Sequence, residues 1–277
     1  MRGVFTAGVL DAFLDKRLKD FDRYYGVSAG ALNLSSYIAG QRGLSQSIYT
    51  NLCLEPEFIS MSRHLKGGHL FDLDWFFDKL NLQYSLDQLR FKEQLIQRRF
   101  TIVTTDISSG TPCYQVINHE SSKQILTQSL KASSALPMIY RHPVMINDRP
   151  LMDGSLSDPM PVLKAIEDGC TEIILVRSRP VDARKKASPS SRMLAWQYRR
   201  QPAIAGLIRQ QYNLYNQAAD DFESLEFNDH VNLIQVAPKG PLSSTRSTRN
   251  RTRLVADYHL GYSQGFALAR ELGNSEK

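Results

Sequence analysis

The chain has 277 residues, 42% hydrophobic and 22% charged, which is ordinary for one large globular domain, or one and a half, with a sizeable core. No apolar run approaches the ~18 residues of a membrane span, and three widely spaced cysteines (Cys53, Cys113, Cys170) argue against a zinc site or disulfide framework and fit a reducing compartment. The net charge is +6 and uneven: residues 181–277 hold 14 Lys/Arg against 9 Asp/Glu, a basic third that could meet an anionic membrane or nucleic acid, although a solvated basic face is the commoner reading.

Residues 1–14 carry Arg2 and Asp11 within an apolar stripe of Val4, Ala7, Leu10, Phe13 and Leu14. That spacing predicts an amphipathic helix, extending to about Lys19, rather than a signal peptide. Residues 21–25 then read as a short strand, followed by the turn Gly26-Val27-Ser28-Ala29-Gly30 and a helix over 29–40. The turn has the pattern G-x-S-x-G, which can hold a serine in a strained strand-to-helix elbow with its Oγ exposed. The helix N-terminus beneath Ser28 favours developing negative charge. Gly26 and Gly30 suit the turn because side chains there would crowd it. The order helix, strand, elbow, helix indicates an α/β architecture with a parallel sheet. In such a fold the first helix follows a first strand, for which the residues ahead of Gly3 leave no room.

Further along, residues 44–54 and 86–97 read as helices. Residues 71–80 set Trp75, Phe76 and Phe77 beside three aspartates, as a core helix or a cover over an apolar site. Residues 100–105 and 112–118 form a predicted hairpin about Ser108-Ser109-Gly110. A helix over 125–133 ends at Leu136-Pro137. A second hairpin, 144–146 with 149–152, turns at Asn147-Asp148 and delivers Asp153-Gly154-Ser155. A short helix at 162–168 stops at Gly169, and 172–177 has the pattern of a buried strand. Beyond it come a polar loop (184–191), a helix broken at Pro202 (192–222), a last strand (231–237), an arginine-rich stretch (245–253) and a closing helix (253–272).

A serine hydroxyl is a poor nucleophile until a base takes its proton. The six histidines (64, 69, 119, 142, 230 and 259) lie in no motif. Ser28, Asp153 and His259 follow the Ser-Asp-His order of α/β-hydrolases. That fold places several strands before its elbow, and 27 residues cannot supply them. Asp153 is the better candidate. A free aspartate is a weak base, with a pKa of about 3.9, but burial raises it toward useful basicity. Gly154 behind it lets another backbone approach closely. Taken alone, Asp-Gly-Ser is more often a plain turn.

Together, Gly26-Val27-Ser28-Ala29-Gly30 and Asp153-Gly154-Ser155 resemble the patatin-like phospholipases, which use a Ser-Asp dyad with the aspartate in an Asp-Gly-Gly or Asp-Gly-Ala motif. Met1-Arg2-Gly3-Val4 looks like the tail of that family's glycine-rich oxyanion motif. Residues 132–137, Ala-Ser-Ser-Ala-Leu-Pro, are similar to its Ala-Ser-x-Ala-x-Pro segment. The resemblance covers residues 1–161. It implies a three-layer α/β/α sandwich with a mostly parallel central sheet whose first strand is missing from this chain. It also implies hydrolysis of lipid acyl esters through an acyl-enzyme. Ser28 would be the nucleophile and Asp153 its base, with Arg2 and Gly3 the remnant of the oxyanion loop. Ser155 stands where the family has Gly or Ala. The truncated loop leads to the expectation of a start placed too late. It also leaves open a catalytically impaired lipid-binding protein, and the elbow alone does not exclude a carboxylesterase or thioesterase with non-lipid substrates.

The expected organisation is a catalytic domain over 1–180 and a basic, mainly helical region with one strand over 181–277, packed on the same domain. No cofactor or metal is expected. The partners are a phospholipid or other acyl ester and, through Arg246, Arg249, Arg251 and Arg253, an anionic membrane surface. Nucleic acid is not expected, because the arginines lack aromatic interleaving. The location that follows is cytoplasmic, or peripheral at the membrane.

Overall fold

A computed structural model describes residues 1–18, 20–137, 139–225 and 230–275. Its helices are α1 (Gly3–Asp15), α2 (Ala29–Ile38), α3 (Leu44–Thr50), α4 (Met61–Leu65), α5 (Leu73–Gln83), α6 (Gln88–Gln94), α7 (Lys123–Ser134), α8 (Val162–Glu167), α9 (Pro189–Gln197), α10 (Pro202–Leu225) and α11 (Arg251–Ser275). Its strands are β1 (Arg23–Val27), β2 (Arg99–Asp106), β3 (Pro112–Ile117), β4 (Val144–Ile146), β5 (Arg149–Asp153), β6 (Glu172–Val176) and β7 (Asn232–Val236). The expected helix over 3–19 ends earlier, at Asp15, and Lys19 lies outside the described residues. The break expected at Pro202 separates α9 from α10, with proline starting the second helix, where its missing N–H costs nothing.

Strand β2 is the organiser. It pairs with β1 in parallel and with β3 and β5 antiparallel, and β4 closes the hairpin with β5. The β4–β5 turn uses Asn147 and Asp148, both at positive φ (48° and 60°), the twist that a two-residue hairpin requires. Strands β6 and β7 pair in parallel as a separate ladder. Helices surround this mixed sheet in an α/β architecture consistent with an α/β/α sandwich. Phe5, Phe13, Leu52, Phe91, Phe100 and Ile102 are fully buried in one apolar core. The aromatic run of α5 joins that core: Phe76 and Phe77 are buried, and Phe76 packs 4.8 Å from the Phe58 ring.

Among the described residues, β1 pairs only with β2 and β6 only with β7. Residues from both strands line one cavity of about 500 Å3.

Helix α11 returns the end of the chain to its beginning, lying along α1. The approach is close: a Cβ at Gly261 would sit 2.0 Å from the Phe5 carbonyl oxygen. Buried Asp11 of α1 accepts hydrogen bonds from the Tyr258 hydroxyl (2.8 Å) and the Gly43 amide (3.1 Å). Burial raises the Asp11 carboxyl above its usual range, and these two donors pull against that rise.

Candidate active site

The β2 register brings the two sequence motifs together. Val27, the last residue of β1, pairs with Val103, and Asp153, the last residue of β5, pairs with Thr104. Both strands lie along the same edge of β2, and their ends meet at adjacent residues. Ser28, which follows Val27, therefore arrives beside Asp153, although the two are 125 positions apart in sequence.

The elbow is strained as its pattern predicts. Ser28 adopts φ 53° and ψ −123°, a conformation that non-glycine residues rarely hold. Gly26 has the role expected of it: a Cβ there would lie 2.6 Å from the Ala31 Cα, where α2 folds back over β1. Gly30 does not. Nothing lies within 4 Å of a Cβ built at that position, so crowding of the turn is not what requires glycine there. Gly30 instead lines the cavity beside Ser28.

Two residues outside the expected set hold the geometry. The Ser28 amide donates to the Ser133 hydroxyl (2.8 Å), and that hydroxyl donates to the Val103 carbonyl (2.6 Å). The Asp153 amide donates to the Ala135 carbonyl (3.1 Å). The 132–137 segment thus pins the backbone of both Ser28 and Asp153, a role that its residues alone do not announce. Gly154 is required for the same closeness, since a Cβ there would sit 2.3 Å from the Val103 carbonyl oxygen.

Asp153 is completely buried. Its Oδ1 accepts the Ser155 amide at 2.8 Å, while Oδ2 has no partner at hydrogen-bond geometry among the described residues. Burial pushes the carboxyl up from its usual value. Ser155, the facing Ser28 hydroxyl and the charge of Arg246 draw it partly back. The result is a stronger base than a free aspartate, with one oxygen open to receive a proton.

The expected oxyanion residues also reach the site. Arg2 and Gly3 line the cavity with Ser28, and a Cβ at Gly3 would lie 2.9 Å from the Ala29 Cβ. The N-terminal ends of α1 and α2 therefore meet. Neither has a side-chain cap or an acidic residue in its first turn, so both leave amide N–H groups and positive dipole ends for an anion. None of the six histidines lines the cavity, and His259 is exposed on α11. Of the four C-terminal arginines, Arg246 lines the cavity. Arg249 donates to the Pro56 and Ile59 carbonyls, and Arg251 and Arg253 are exposed. No described helix is long and apolar enough to cross a membrane, and no described cluster of three metal-binding side chains is present.

Comparison with known proteins yields three matches. The family model for patatin-like phospholipases matches residues 1–166. A model described as a domain of unknown function (DUF6363) matches residues 201–275. The uncharacterised protein YjjU of Escherichia coli strain K12 is 30% identical over 264 residues, which is 94% of this chain and 72% of that protein.

Proposed function

The chain belongs to the patatin-like phospholipase family, and we propose that it is a serine acyl hydrolase of lipid esters in which Ser28 is the nucleophile and Asp153 its base. One observation carries this reading: β2 aligns a strained Ser28 with a buried carboxylate that its hydroxyl faces and whose Oδ2 has no hydrogen-bond partner among the described residues. In the reaction, the Ser28 Oγ attacks the ester carbonyl carbon as its proton passes to Asp153 Oδ2. The tetrahedral oxyanion is met by the Gly3 and Ala29 amides, a contribution typically worth about 3–4 kcal/mol per donor. Collapse expels the alcohol, which takes the proton from Asp153 and leaves an acyl ester on Ser28. A water deprotonated by the same carboxylate then releases the fatty acid. The acyl chain runs along the apolar lining, among Ile48, Phe58, Phe76, Leu136 and Ile139.

The catalytic domain spans residues 1–180 in this reading, with residues 181–277 packed on it, and no cofactor takes part. The protein acts in the cytoplasm and meets anionic membrane peripherally. Exposed Met193 and Trp196 of α9 support that contact, with Arg199 lying 4.2 Å from the Trp196 ring centre. Turnover of p-nitrophenyl, lysophospholipid and triacylglycerol esters tests the assignment. Asp153→Asn should lower turnover about 10^3-fold or more. Full activity in that variant would sink the dyad. Lipid binding with no turnover by the unaltered chain would favour a binding protein on the same fold.

A further inference from the structure

Two donors are assigned to the oxyanion, the amides of Gly3 and Ala29, and they belong to different helices, α1 and α2. The two helix ends must be held in a fixed relation, since such a donor works only within about 0.5 Å of its place. Gly3 is the harder of the two to hold. Glycine has the freest backbone of any residue, yet no side chain fits at this position. A Cβ there would lie 2.3 Å from the Tyr49 hydroxyl and 2.9 Å from the Ala29 Cβ. Restraint of Gly3 has to come from its neighbours.

It comes from α2. Asn33 stands four residues after Ala29, which puts both on one face of that helix. Its Nδ2 donates to the Gly3 carbonyl at 2.7 Å and to the Thr6 hydroxyl at 2.6 Å. The Thr6 hydroxyl in turn donates to the same carbonyl at 2.8 Å. Asn33 and Thr6 are both buried, and the Tyr49 hydroxyl also faces Asn33. All of these residues stand in the wall of the Ser28 cavity. A buried amide is costly unless it is hydrogen-bonded, and here its bonds tie the helix that carries Ala29 to the carbonyl of the opposite donor residue. The other polar tie of α1, Asp11 with Tyr258 and Gly43, lies further along the helix and leaves its first residue unheld.

We propose that Asn33, acting with Thr6, is a positioning residue for the reaction, locking the Gly3 carbonyl so that the Gly3 and Ala29 amides converge on one oxyanion. This rests on Ser28 being the nucleophile. It adds a residue outside both sequence motifs, and it places that residue's effect in the transition state. The negative charge that Gly3 and Ala29 must meet appears only as Ser28 Oγ bonds to the ester carbon, whereas the acyl chain is held by the apolar lining before and after.

Asn33→Leu keeps the side-chain volume and removes both donated bonds. On a short-chain p-nitrophenyl ester it should lower kcat about 10–100-fold and leave KM within about twofold. A trifluoromethyl ketone, whose adduct with Ser28 carries the oxyanion, should lose affinity by the same factor as kcat/KM. An ether analogue, which has no carbonyl, should bind Ser28→Ala and Ser28→Ala/Asn33→Leu proteins alike. Tyr258→Phe is the control. It removes a bond from Asp11 on the same helix, so it should lower the melting temperature and keep kcat. If Asn33 served stability alone, Asn33→Leu would behave as this control does, which overturns the proposal. A rise in KM at unchanged kcat overturns it too. Should Asn33→Leu fail to fold, Thr6→Val keeps the shape and removes one donor from the Gly3 carbonyl. A several-fold lower kcat at constant KM then upholds the proposal, and an unchanged kcat overturns it. If the unaltered protein hydrolyses no ester and forms no fluorophosphonate adduct at Ser28, the reading of Ser28 falls and the role of Asn33 with it. Turnover that survives Asn33→Leu at full kcat removes the role of Asn33 alone.

Discussion

Two parts of the cavity wall differ in how their polar groups are settled. Along the β2 edge, hydrogen bonds fix the backbone: the Ser28 amide on Ser133, the Asp153 amide on Ala135, and the Ser155 amide on Asp153 Oδ1. Oδ2 of Asp153, the atom assigned the proton in the proposed reaction, has no hydrogen-bond partner among the described residues. The cationic wall around Tyr215 is the reverse, with Arg179 and Lys185 gathered against the ring and without a carboxylate ion pair among the described residues. In the proposed reaction, chemistry is set by geometry that the chain completes itself, and the charge at this wall is left for the substrate to meet. Changes at the β2 edge should therefore lower the turnover of every ester, whereas changes at the cationic wall should alter the preference between lysophospholipid and triacylglycerol.

The largest expected effect is at the dyad, where Ser28→Ala or Asp153→Asn should lower turnover about 10^3-fold or more for lysophospholipid and triacylglycerol alike. A loss confined to one substrate class would break the comparison. Next comes Arg179→Gln/Lys185→Gln, which should lower turnover of lysophospholipid relative to triacylglycerol about tenfold or more, with much of the rate on triacylglycerol retained. Replacing Gly154 with alanine should act as a geometry variant. Its Cβ collides with the Val103 carbonyl, so about 1–3 kcal/mol of stability should be lost in a thermal or urea melt, along with turnover of both esters. Unchanged stability would mean that the β2–Gly154 approach is looser than described.

A pH profile sharpens the contrast. Asp153 must be ionised to accept a proton, and its pKa is raised, so kcat/KM for both esters should fall on the acid side at a pH above the ordinary carboxylate range. Lys185 loses its charge as pH rises through about 8, so only lysophospholipid should lose kcat/KM on that alkaline limb. An alkaline limb shared by both esters would place Lys185 in the chemistry rather than in recognition. The smallest effect is at the membrane: Trp196→Ala should weaken co-sedimentation with phosphatidylglycerol vesicles several-fold and leave phosphatidylcholine binding low.

The elbow and the Asp-Gly turn were legible because each is local: a glycine pattern of a few residues encodes its own backbone shape. The hairpin at Asn147-Asp148 and the break at Pro202 were legible for the same reason. What joins the two motifs was not. The register that sets Val27 and Asp153 on neighbouring residues of β2 is a long-range pairing, and nothing in the 99–106 segment specifies it alone. Ser133 lies in the segment that resembles the family's Ala-Ser-x-Ala-x-Pro, but that likeness gives no role to its hydroxyl, which depends on the long-range approach of α7 to β2. The G-x-S-x-G pattern makes Gly30 a steric necessity, yet the space beside it is open, because the pattern does not encode which side of the turn faces the core. Arg179 and Lys185 were counted in the net charge, but their convergence with Arg2 depends on the path of the chain between β6 and α11.

The most direct test of the central claim is covalent. The protein and its Asp153→Asn variant are treated with a fluorophosphonate, and the adduct is located by peptide mass spectrometry. A single adduct on Ser28, formed far more slowly in Asp153→Asn, is the expected result. Labelling at another residue, or equal rates in both proteins, would contradict a Ser28–Asp153 dyad.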